Sequence, residues 1–219
     1  MKLDYANYNH LSFDLWLTLI KSNPEFKSKR NKLFKDYFEI EDSIEKVNEV
    51  VRYYDVLCNS INEKTGLNFN TFEIYYLILN SLNVKIEVID AIKLEAFYTE
   101  TELLFMQYKP NLIDPNIGLL FKEVTEKGKT INILSNTGFI KGFTLRKLLT
   151  HYDLNDYFSF QLYSDETGIS KPNQDMFKLV YDQVCEKEFV EKKRVLHVGD
   201  NPIADRDGAL KFGFSALLI

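Results

Sequence analysis

Short apolar runs alternate with helical patterns through most of the chain, and this alternation constrains the fold more than any other feature. The runs end in polar or glycine-containing turns and read HLSFDLWL, TINILSNTG, YFSFQLYSDE, KRVLHVGDN and FSALLI. Residues 143–152, 173–187 and 204–213 carry apolar side chains at three- and four-residue spacing, which is typical of amphipathic helices. Strands that alternate with helices of this length form βαβ units. The pattern predicts an α/β fold, a doubly wound parallel sheet with helices on both faces.

One long segment breaks this alternation. Between about residues 25 and 106 no run has a strand pattern, and the segment instead contains helical stretches at 25–39, 42–64, 70–82 and 85–107. We therefore predict an α/β core domain over residues 1–21 and 108–219, with an inserted all-helical cap domain over residues 22–107. An insertion that follows the first strand lies over the strand ends, where open α/β sheets bind their ligands.

Two local signals describe the inside of the insertion. Ser43 or Asp42 is expected to cap its second helix, and Asn70 or Thr71 its third, because these residue types accept hydrogen bonds from the first free backbone N–H groups. Aromatic side chains recur at helical spacing in VVRYYDVL and FEIYYLIL. At this spacing we predict that they form a hydrophobic core rather than a stacking platform for bases or a cofactor.

A basic segment opens the insertion. KSNPEFKSKRNKLFK has one nearby acid, Glu25, beside the cations Lys21, Lys27, Lys29, Arg30, Lys32 and Lys35. We interpret it mainly as a solvated helix face, and its position after Asp14 leaves steering of an anionic substrate as the alternative.

The composition excludes several classes of protein. The chain has 219 residues, and its 5 Pro and 9 Gly argue against long disordered linkers. A net charge of −5 gives no general attraction to nucleic acid or to an anionic membrane, so neither is an expected partner. No apolar run approaches the ~18 residues that span a bilayer, and we expect a cytoplasmic protein. Cys58 and Cys185 have no metal-type spacing and are predicted to be buried free thiols.

Chemically useful side chains follow four of the predicted strands or open the helix after them. Each is weak evidence alone, because Asp, Ser and Lys are common in turns. They are Asp14 and Thr18, then Ser135 and Asn136, then Lys171, and finally Asp200 and Asp205. The carboxyl ends of parallel strands meet at one edge of a sheet, so their order along the chain predicts a single site.

With these motifs in place, the chain resembles the haloacid dehalogenase-like superfamily of hydrolases over nearly its whole length. FDLWLT corresponds to the family's D-x-D-x-T motif, and LSNTG to its Ser or Thr motif. SDETGISKPNQDMF corresponds to its lysine motif, and HVGDNPIADRDGALKFG to its acidic motif. The helical insertion between the first two motifs resembles the superfamily's all-helical cap.

The resemblance implies a role for each matching residue. Asp14 is expected to be a nucleophile that forms an aspartyl-phosphate, and also a metal ligand. Asp200 is expected to bind the metal through its carboxylate, the Trp16 backbone carbonyl to be a further ligand, and Asp205 to support them. Independently of the family, three aspartates at neighbouring strand ends repel one another, and a hard cation with oxygen ligands relieves that repulsion. Mg²⁺ is therefore the predicted cofactor.

The remaining site residues are expected to act on a phosphoryl group. Lys171 supplies positive charge to both Asp14 and the transferring group. The resemblance further implies that Ser135 is catalytic together with Asp14 and Lys171. The predicted ligands of the substrate, a small phosphorylated metabolite, are Ser135, Asn136, Thr18 and Lys171. His197 lies inside an apolar strand and is predicted to be a packed core residue rather than a catalyst.

Trp16 is the main departure from the family pattern. In phosphatase members the acid at this position protonates the leaving oxygen, whereas an indole cannot transfer a proton near pH 7. Loss of a general acid typically costs ~10² to 10⁴ in rate. Leu17, at a position often filled by Gly in the family, is a second departure.

Three functions remain open on the sequence alone. The first is a Mg²⁺-dependent phosphohydrolase with weakened acid–base catalysis, acting on good leaving groups or borrowing a proton donor from the cap. The second is a non-catalytic homologue that binds a phosphorylated ligand or a partner. The third is a 2-haloacid dehalogenase, since halide needs no protonation and that branch carries an aromatic residue at position 16. Asp200 and Asp205 favour the metal-dependent function, because the dehalogenase branch lacks the acid that matches Asp200.

Overall fold

The computed structural model describes residues 3–219, and its strands and helices alternate as the sequence predicts. The strands are β1 (His10–Phe13), β2 (Ile20–Lys21), β3 (Asn111–Leu112), β4 (Thr130–Ser135), β5 (Phe160–Tyr163), β6 (Val195–Gly199) and β7 (Ser215–Leu218). The α-helices are α1 (Pro24–Tyr37), α2 (Ile44–Thr65), α3 (Thr71–Ser81), α4 (Ala91–Gln107), α5 (Ile117–Glu126), α6 (Gly142–His151), α7 (Ser164–Thr167), α8 (Gln174–Val184) and α9 (Gly208–Phe212).

Five strands form one parallel sheet in the order β5-β4-β1-β6-β7. The first strand in the chain lies at its centre, where Phe13 pairs with Ile133 of β4 on one side and with Val198 of β6 on the other. Order and direction confirm the predicted α/β fold with a doubly wound parallel sheet. The arrangement places the carboxyl ends of β4, β1 and β6 side by side.

Both faces of the sheet are buried, which explains the near-continuous apolar character of the strands. One face packs with Phe121 of α5 and Leu145 of α6, and the other with Phe177 of α8. All three of these side chains are fully buried. No helix among residues 3–219 is long and apolar enough to cross a membrane.

Helices α1 to α4 lie between β2 and β3 and have their own hydrophobic core. This confirms the prediction for Tyr75, which is buried in it, and for Tyr54, Phe72 and Tyr76, which pack against it, but not for Tyr53, which is 60% exposed. The rings of Phe34, Tyr75 and Phe97 are mutually in contact, with centroid distances of 5.2 to 5.6 Å. Phe139, from the loop after β4, stacks on Tyr75 and joins this core. The helical insertion is therefore packed internally and also fixed against the α/β core.

The helix caps agree with one of the two alternatives at each site. Ser43 caps α2 by accepting a hydrogen bond from the backbone N–H of Lys46, and Asn70 caps α3 in a capping box with Glu73. Both caps satisfy N–H groups that would otherwise lack a partner at the helix start.

Several predicted elements need correction. The stretch 85–107 is not one helix: Ile86–Val88 forms a 3₁₀ turn, and α4 begins at Ala91 behind the N-cap Asp90. The stretch 204–213 is a π-helical turn over Pro202–Asp207 followed by the short α9. Helix α5 and the antiparallel β2–β3 pair were not predicted. Both cysteines are free, but only Cys58 is buried, and Cys185 is partly exposed.

The buried His10 gives a testable pH dependence of stability. Its Nε2 bonds the Asn132 side-chain oxygen, which can only accept, and its Nδ1 bonds the Thr130 hydroxyl, so the ring fits as the neutral imidazole. Burial lowers the pKa of His10 to about 4, although the Asn132 hydrogen bond acts in the opposite direction. The unfolded chain therefore takes up a proton first as the pH falls.

We predict that His10 stabilises the fold fully above pH 6.5, and that this contribution disappears as the pH falls towards 4. The loss should be about 3 kcal/mol in the free energy of unfolding. Urea denaturation of the native protein and of His10→Gln at several pH values measures this loss. The difference between the two proteins isolates His10, because all other titrating groups are common to both. Parallel pH profiles for the two proteins would contradict the prediction.

Candidate active site

The centre of the site is Asp14, directly after the central strand β1. Its backbone N–H donates to the carbonyl of Val198 at 2.9 Å, so pairing with β6 continues past the end of the strand. Asp14 is buried, with 6% of its surface exposed. Ser135 ends the neighbouring strand β4 and Asp200 directly follows β6, so the fold brings these predicted residues to the same edge of the sheet.

Lys171 joins two of the aspartates. Its Nζ donates to Asp14 Oδ1 at 2.8 Å and to Asp205 Oδ1 at 2.6 Å, and the residue is only 1% exposed. Asn136 fixes the backbone of Lys171, since its side-chain oxygen accepts from the Lys171 N–H and its Nδ2 donates to the Lys171 carbonyl. The loop after β4 therefore determines where the ammonium group lies.

Two further hydrogen bonds hold Asp205. His197 Nε2 donates to its Oδ1 at 3.0 Å, and the Asn201 backbone N–H donates to its Oδ2 at 3.0 Å. The other His197 nitrogen bonds Ser12 Oγ on β1 at 3.0 Å. A Cβ at Gly199 would lie 2.3 Å from Asp205 Oδ2, so this approach requires glycine. His197 is buried, as predicted, but it also positions Asp205, a role that its strand location alone did not reveal.

The electrostatics of the cluster follow from burial and from crowded negative charge. Burial raises the pKa of Asp14 to about 7; Lys171 opposes this rise, and Asp205 and Asp200 add to it. For Asp205, burial also acts to raise the pKa, but Lys171 and His197 overcome it and hold that pKa well below its usual range. Burial and Asp205 raise the pKa of Asp200. One ammonium group therefore does not balance the three carboxylates.

The carboxylates of Asp14, Asp200 and Asp205 are arranged as a cation site. One oxygen of each lies within 4.8 Å of the others, and all three are hard oxygen donors of the kind that Mg²⁺ prefers. The unbalanced charge of the cluster gives a physical reason to bind a divalent cation there. The residues present thus fit the predicted metal.

The structure places the other predicted substrate ligands less directly. Ser135 is fully buried and its Oγ donates to the Asn136 carbonyl at 3.3 Å. Asn136 lines the cavity but uses its amide to hold Lys171. Thr18 is buried, and its hydroxyl has no hydrogen-bond partner within residues 3–219. Neither Ser135 nor Thr18 is among the residues that line the cavity.

The cavity above Asp14 has a volume of about 360 Å³ and lies between the α/β core and the helical insertion. The core contributes Asp14, Trp16, Lys171, Asp200 and Asp205 among its walls. The insertion contributes Lys27 and Arg30 from α1 and Asp55, Asn59 and Glu63 from α2. Arg30 was expected on a solvated helix face, yet it is only 8% exposed, and that interpretation is wrong for this residue.

The turn after Asp14 contains Trp16 and Leu17, the two residues predicted to depart from the family pattern. Trp16 is partly buried and packs edge-on against Phe105 of α4, with ring centroids 6.3 Å apart. Leu17 has a φ of 59°, in the left-handed region, and is 61% exposed. This backbone conformation explains why glycine suits position 17, because an L-residue there meets its own backbone.

We predict that Leu17→Gly raises the free energy of unfolding by about 1 kcal/mol, because it removes left-handed strain and loses little buried surface. Chemical denaturation measures the change. Leu17→Ala is the matched control: it keeps the Cβ and the strain, so its stability should stay near that of the native protein. Equal stabilisation by Gly and Ala would show that the exposed leucine side chain, rather than the backbone, is the cause.

Comparison with known proteins gives consistent matches. The sequence model described as haloacid dehalogenase-like hydrolase matches residues 8–213. The 5-amino-6-(5-phospho-D-ribitylamino)uracil phosphatase YigB of Escherichia coli K12 is 40% identical over 68 residues. That match covers 31% of this chain and only 27% of the relative.

Two solved structures share the fold over nearly the whole chain. The magnesium-bound HAD-hydrolase YfnB of Bacillus subtilis superposes with a TM-score of 0.67 at 18% identity, covering 97% of this chain and 88% of that one. A HAD phosphatase of Thermococcus onnurineus superposes with a TM-score of 0.68 at 17% identity, covering 96% and 86%. At these identities the likeness shows the fold.

Proposed function

The chain belongs to the haloacid dehalogenase-like hydrolases, and on that basis we propose that it is a Mg²⁺-dependent phosphohydrolase of small phosphorylated metabolites. One observation carries the proposal: Asp14 borders a cavity, paired with a buried lysine and close to two further aspartates. Residues 22–107 act as the cap that covers this site.

Asp14 is the nucleophile of the proposed reaction. Its carboxylate oxygen attacks phosphorus, the bond from phosphorus to the ester oxygen breaks, and the alcohol leaves with a proton. Water then attacks the aspartyl-phosphate, releasing inorganic phosphate and restoring the carboxylate. Lys171, at 2.8 Å from Asp14 Oδ1, stabilises negative charge on the transferring group. Asp205, His197 and Asn136 position Lys171 for that role.

Asp14, Asp200 and the backbone carbonyl of Trp16 would hold the metal, with Asp205 in support. When bound, Mg²⁺ supplies positive charge that screens the phosphoryl oxygens from the attacking carboxylate. The grouping of Asp14, Asp200 and Asp205 supports this ligand set. Asn136, in the loop after β4, borders the cavity and would face the phosphoryl group, whereas Ser135 and Thr18 are buried behind the cavity wall and would act on the substrate only after a local change of the wall.

The proton for the leaving oxygen must come from a group other than Trp16. Asp55 and Glu63 of α2 are the carboxylates that the insertion contributes to the cavity wall. They can act as replacement donors, or the enzyme can select esters with good leaving groups that need no donor. A second candidate function, binding of a phosphorylated ligand without turnover, is favoured by the indole at position 16.

The direct test of the proposed function is turnover by the native protein and by Asp14→Asn. We predict Mg²⁺-dependent release of phosphate from aryl and acyl phosphates, which falls to background in Asp14→Asn because the amide cannot attack phosphorus. Phosphate release with Mg²⁺ and with a chelator measures this, and a 2-haloacid assay covers the dehalogenase alternative.

Asp182→Asn is the matched control for that test, because it makes the same change at an exposed position of α8, where Asp182 pairs with Lys178. Its rate should equal that of the native protein. Persistent activity in Asp14→Asn would exclude covalent catalysis at Asp14, and a native protein without turnover would support the binding function.

Trp16→Asp tests whether the missing proton donor limits the rate. We predict that hydrolysis of an alkyl phosphate, a poor leaving group, rises at least about tenfold, while an activated aryl phosphate gains less. Trp16 is only partly buried, so the stability cost should stay below the about 3–5 kcal/mol of a fully buried aromatic residue. Steady-state kinetics with both esters measure the effect.

Trp16→Asn is the control that distinguishes the effect of a proton donor from the effect of removing the bulky indole. It opens the same volume and carries a similar polar group, but it cannot transfer a proton. Its alkyl phosphate rate should stay near that of the native protein. If Asn and Asp accelerate the reaction equally, removal of the indole bulk and not acid catalysis is responsible.

A further inference from the structure

We propose that Arg30 binds a carboxylate of the substrate, so that the protein acts on phosphomonoesters of carboxylic acids. This inference rests on the proposed function, and it adds the chemical class of the substrate. It arises from a buried cation on the cap side of the cavity that pairs with no carboxylate among residues 3–219.

The guanidinium of Arg30 is buried but only partly satisfied. Its Nε and Nη2 both donate to the side-chain oxygen of Asn31, at 3.1 and 2.9 Å. Asn31 is itself held by Asn48 of α2, since Asn31 Nδ2 donates to the Asn48 side-chain oxygen at 2.8 Å. An arginine has five N–H donors in a planar fork, so one amide oxygen leaves much of that fork available.

Phe139 provides the surface on which the guanidinium lies. Arg30 Cζ is 4.2 Å from the centroid of this ring, and Phe139 follows the polar loop that ends β4. The stack fixes the plane of the guanidinium without neutralising it. Burial lowers the pKa of Arg30, but a guanidinium stays charged under all physiological conditions.

The charge of Asp55 acts on Arg30 across the cavity, but Asp55 forms its ion pair with Arg52 and none with Arg30. A buried charge without a directly paired opposite charge is unfavourable, and an apolar side chain would pack here at lower cost. The retained cation therefore needs a reason, and an anionic group of a ligand supplies one, because a carboxylate matches the guanidinium fork in two parallel hydrogen bonds. Asp14 and Lys171 line the same cavity, so one molecule can present phosphate at the core and carboxylate at the cap.

The other charged groups in the cavity wall limit where that carboxylate can lie. Lys27 is a second cation on the α1 side, beside Arg30. On the α2 side, Asp55 pairs with Arg52 at 3.1 Å, and Glu63 accepts from Asn201 Nδ2 at 3.1 Å. These carboxylates repel an anion. The cavity wall is thus positively charged on the α1 side and negatively charged on the α2 side. The carboxylate of a substrate is therefore expected to lie next to α1.

Matched substrate pairs test the inference. In each pair the phosphate is attached to the same chain, which ends either in a carboxylate or in a hydroxymethyl group. The pairs are phosphoglycolate with 2-hydroxyethyl phosphate, and 3-phosphoglycerate with glycerol 3-phosphate. We expect the native protein to favour the carboxylate of at least one pair by about tenfold or more in kcat/KM, as removal of one charged hydrogen-bond partner implies.

Arg30→Gln should bring that ratio close to one, whereas Lys32→Gln should keep it. Lys32 is on the same helix but its side chain is 75% exposed and lies near Asp36, so the control removes an equal charge outside the cavity. If Arg30→Gln melts far below the native protein, Arg30→Lys replaces it: the charge remains but the fork is lost, and the ratio should fall partway. An unchanged ratio in the folded Arg30 variant overturns the inference.

Calorimetry distinguishes failure of this inference from failure of the proposed function. Turnover without any carboxylate preference overturns the role of Arg30 alone. Absence of turnover, together with tighter binding of 3-phosphoglycerate than of glycerol 3-phosphate that Arg30→Gln abolishes, supports the role of Arg30 and overturns the hydrolytic function. Absence of both turnover and selective binding overturns both.

Discussion

The site depends on one constraint, that three carboxylates meet at the edge of a parallel sheet with a single ammonium group between them. Asp14 and Asp200 follow adjacent strands, and Lys171 reaches both Asp14 and Asp205 from another loop. Buried like charges are tolerated only with compensation. Much of the surrounding polar structure, from His197 and its partner Ser12 to the amide of Asn136, provides that compensation by holding the three groups in place.

The parallel sheet and most helices were predictable because the strands and helices each leave a recognisable pattern of apolar residues in the sequence. The position of Asp14, Ser135, Lys171 and Asp200 relative to the predicted strands also indicated that they lie near one another, because parallel strands end at one edge of the sheet. Where the apolar periodicity gave the wrong helix boundary, hydrogen bonding at the helix start set the true one. The stretch 85–107 has an apolar start, but Asp90 caps a helix that begins after it. Helix α5 had a readable signal in Ile117, Phe121 and Val124, all buried at helical spacing.

Contacts between distant segments could not be predicted from one sequence. Arg30 belongs to a run of cations that looks solvated, and only the packing of α1 over the loop after β4 buries it on Phe139. The bond of His197 to Asp205 likewise depends on a π-helical turn that no periodic pattern signals. Both residues act through partners brought together by tertiary structure, which is why residue type and spacing left their roles open.

The turn from Asp14 to Ile20 contains Trp16 and Leu17, the two residues at which we predict a departure from the family pattern. Trp16, at the position where the family resemblance implies a carboxylate, packs on Phe105 of α4, the helix that leads back from the insertion to the core. The indole cannot transfer a proton, but it makes apolar contact between the turn after Asp14 and the insertion. Near this contact, Asp14 and Lys171 form a buried ion pair, whose charges interact more strongly than they would in water. In the proposed reaction, the chemistry therefore depends more on Lys171, on the proposed cation and on charged groups of the insertion than on acid catalysis next to Asp14.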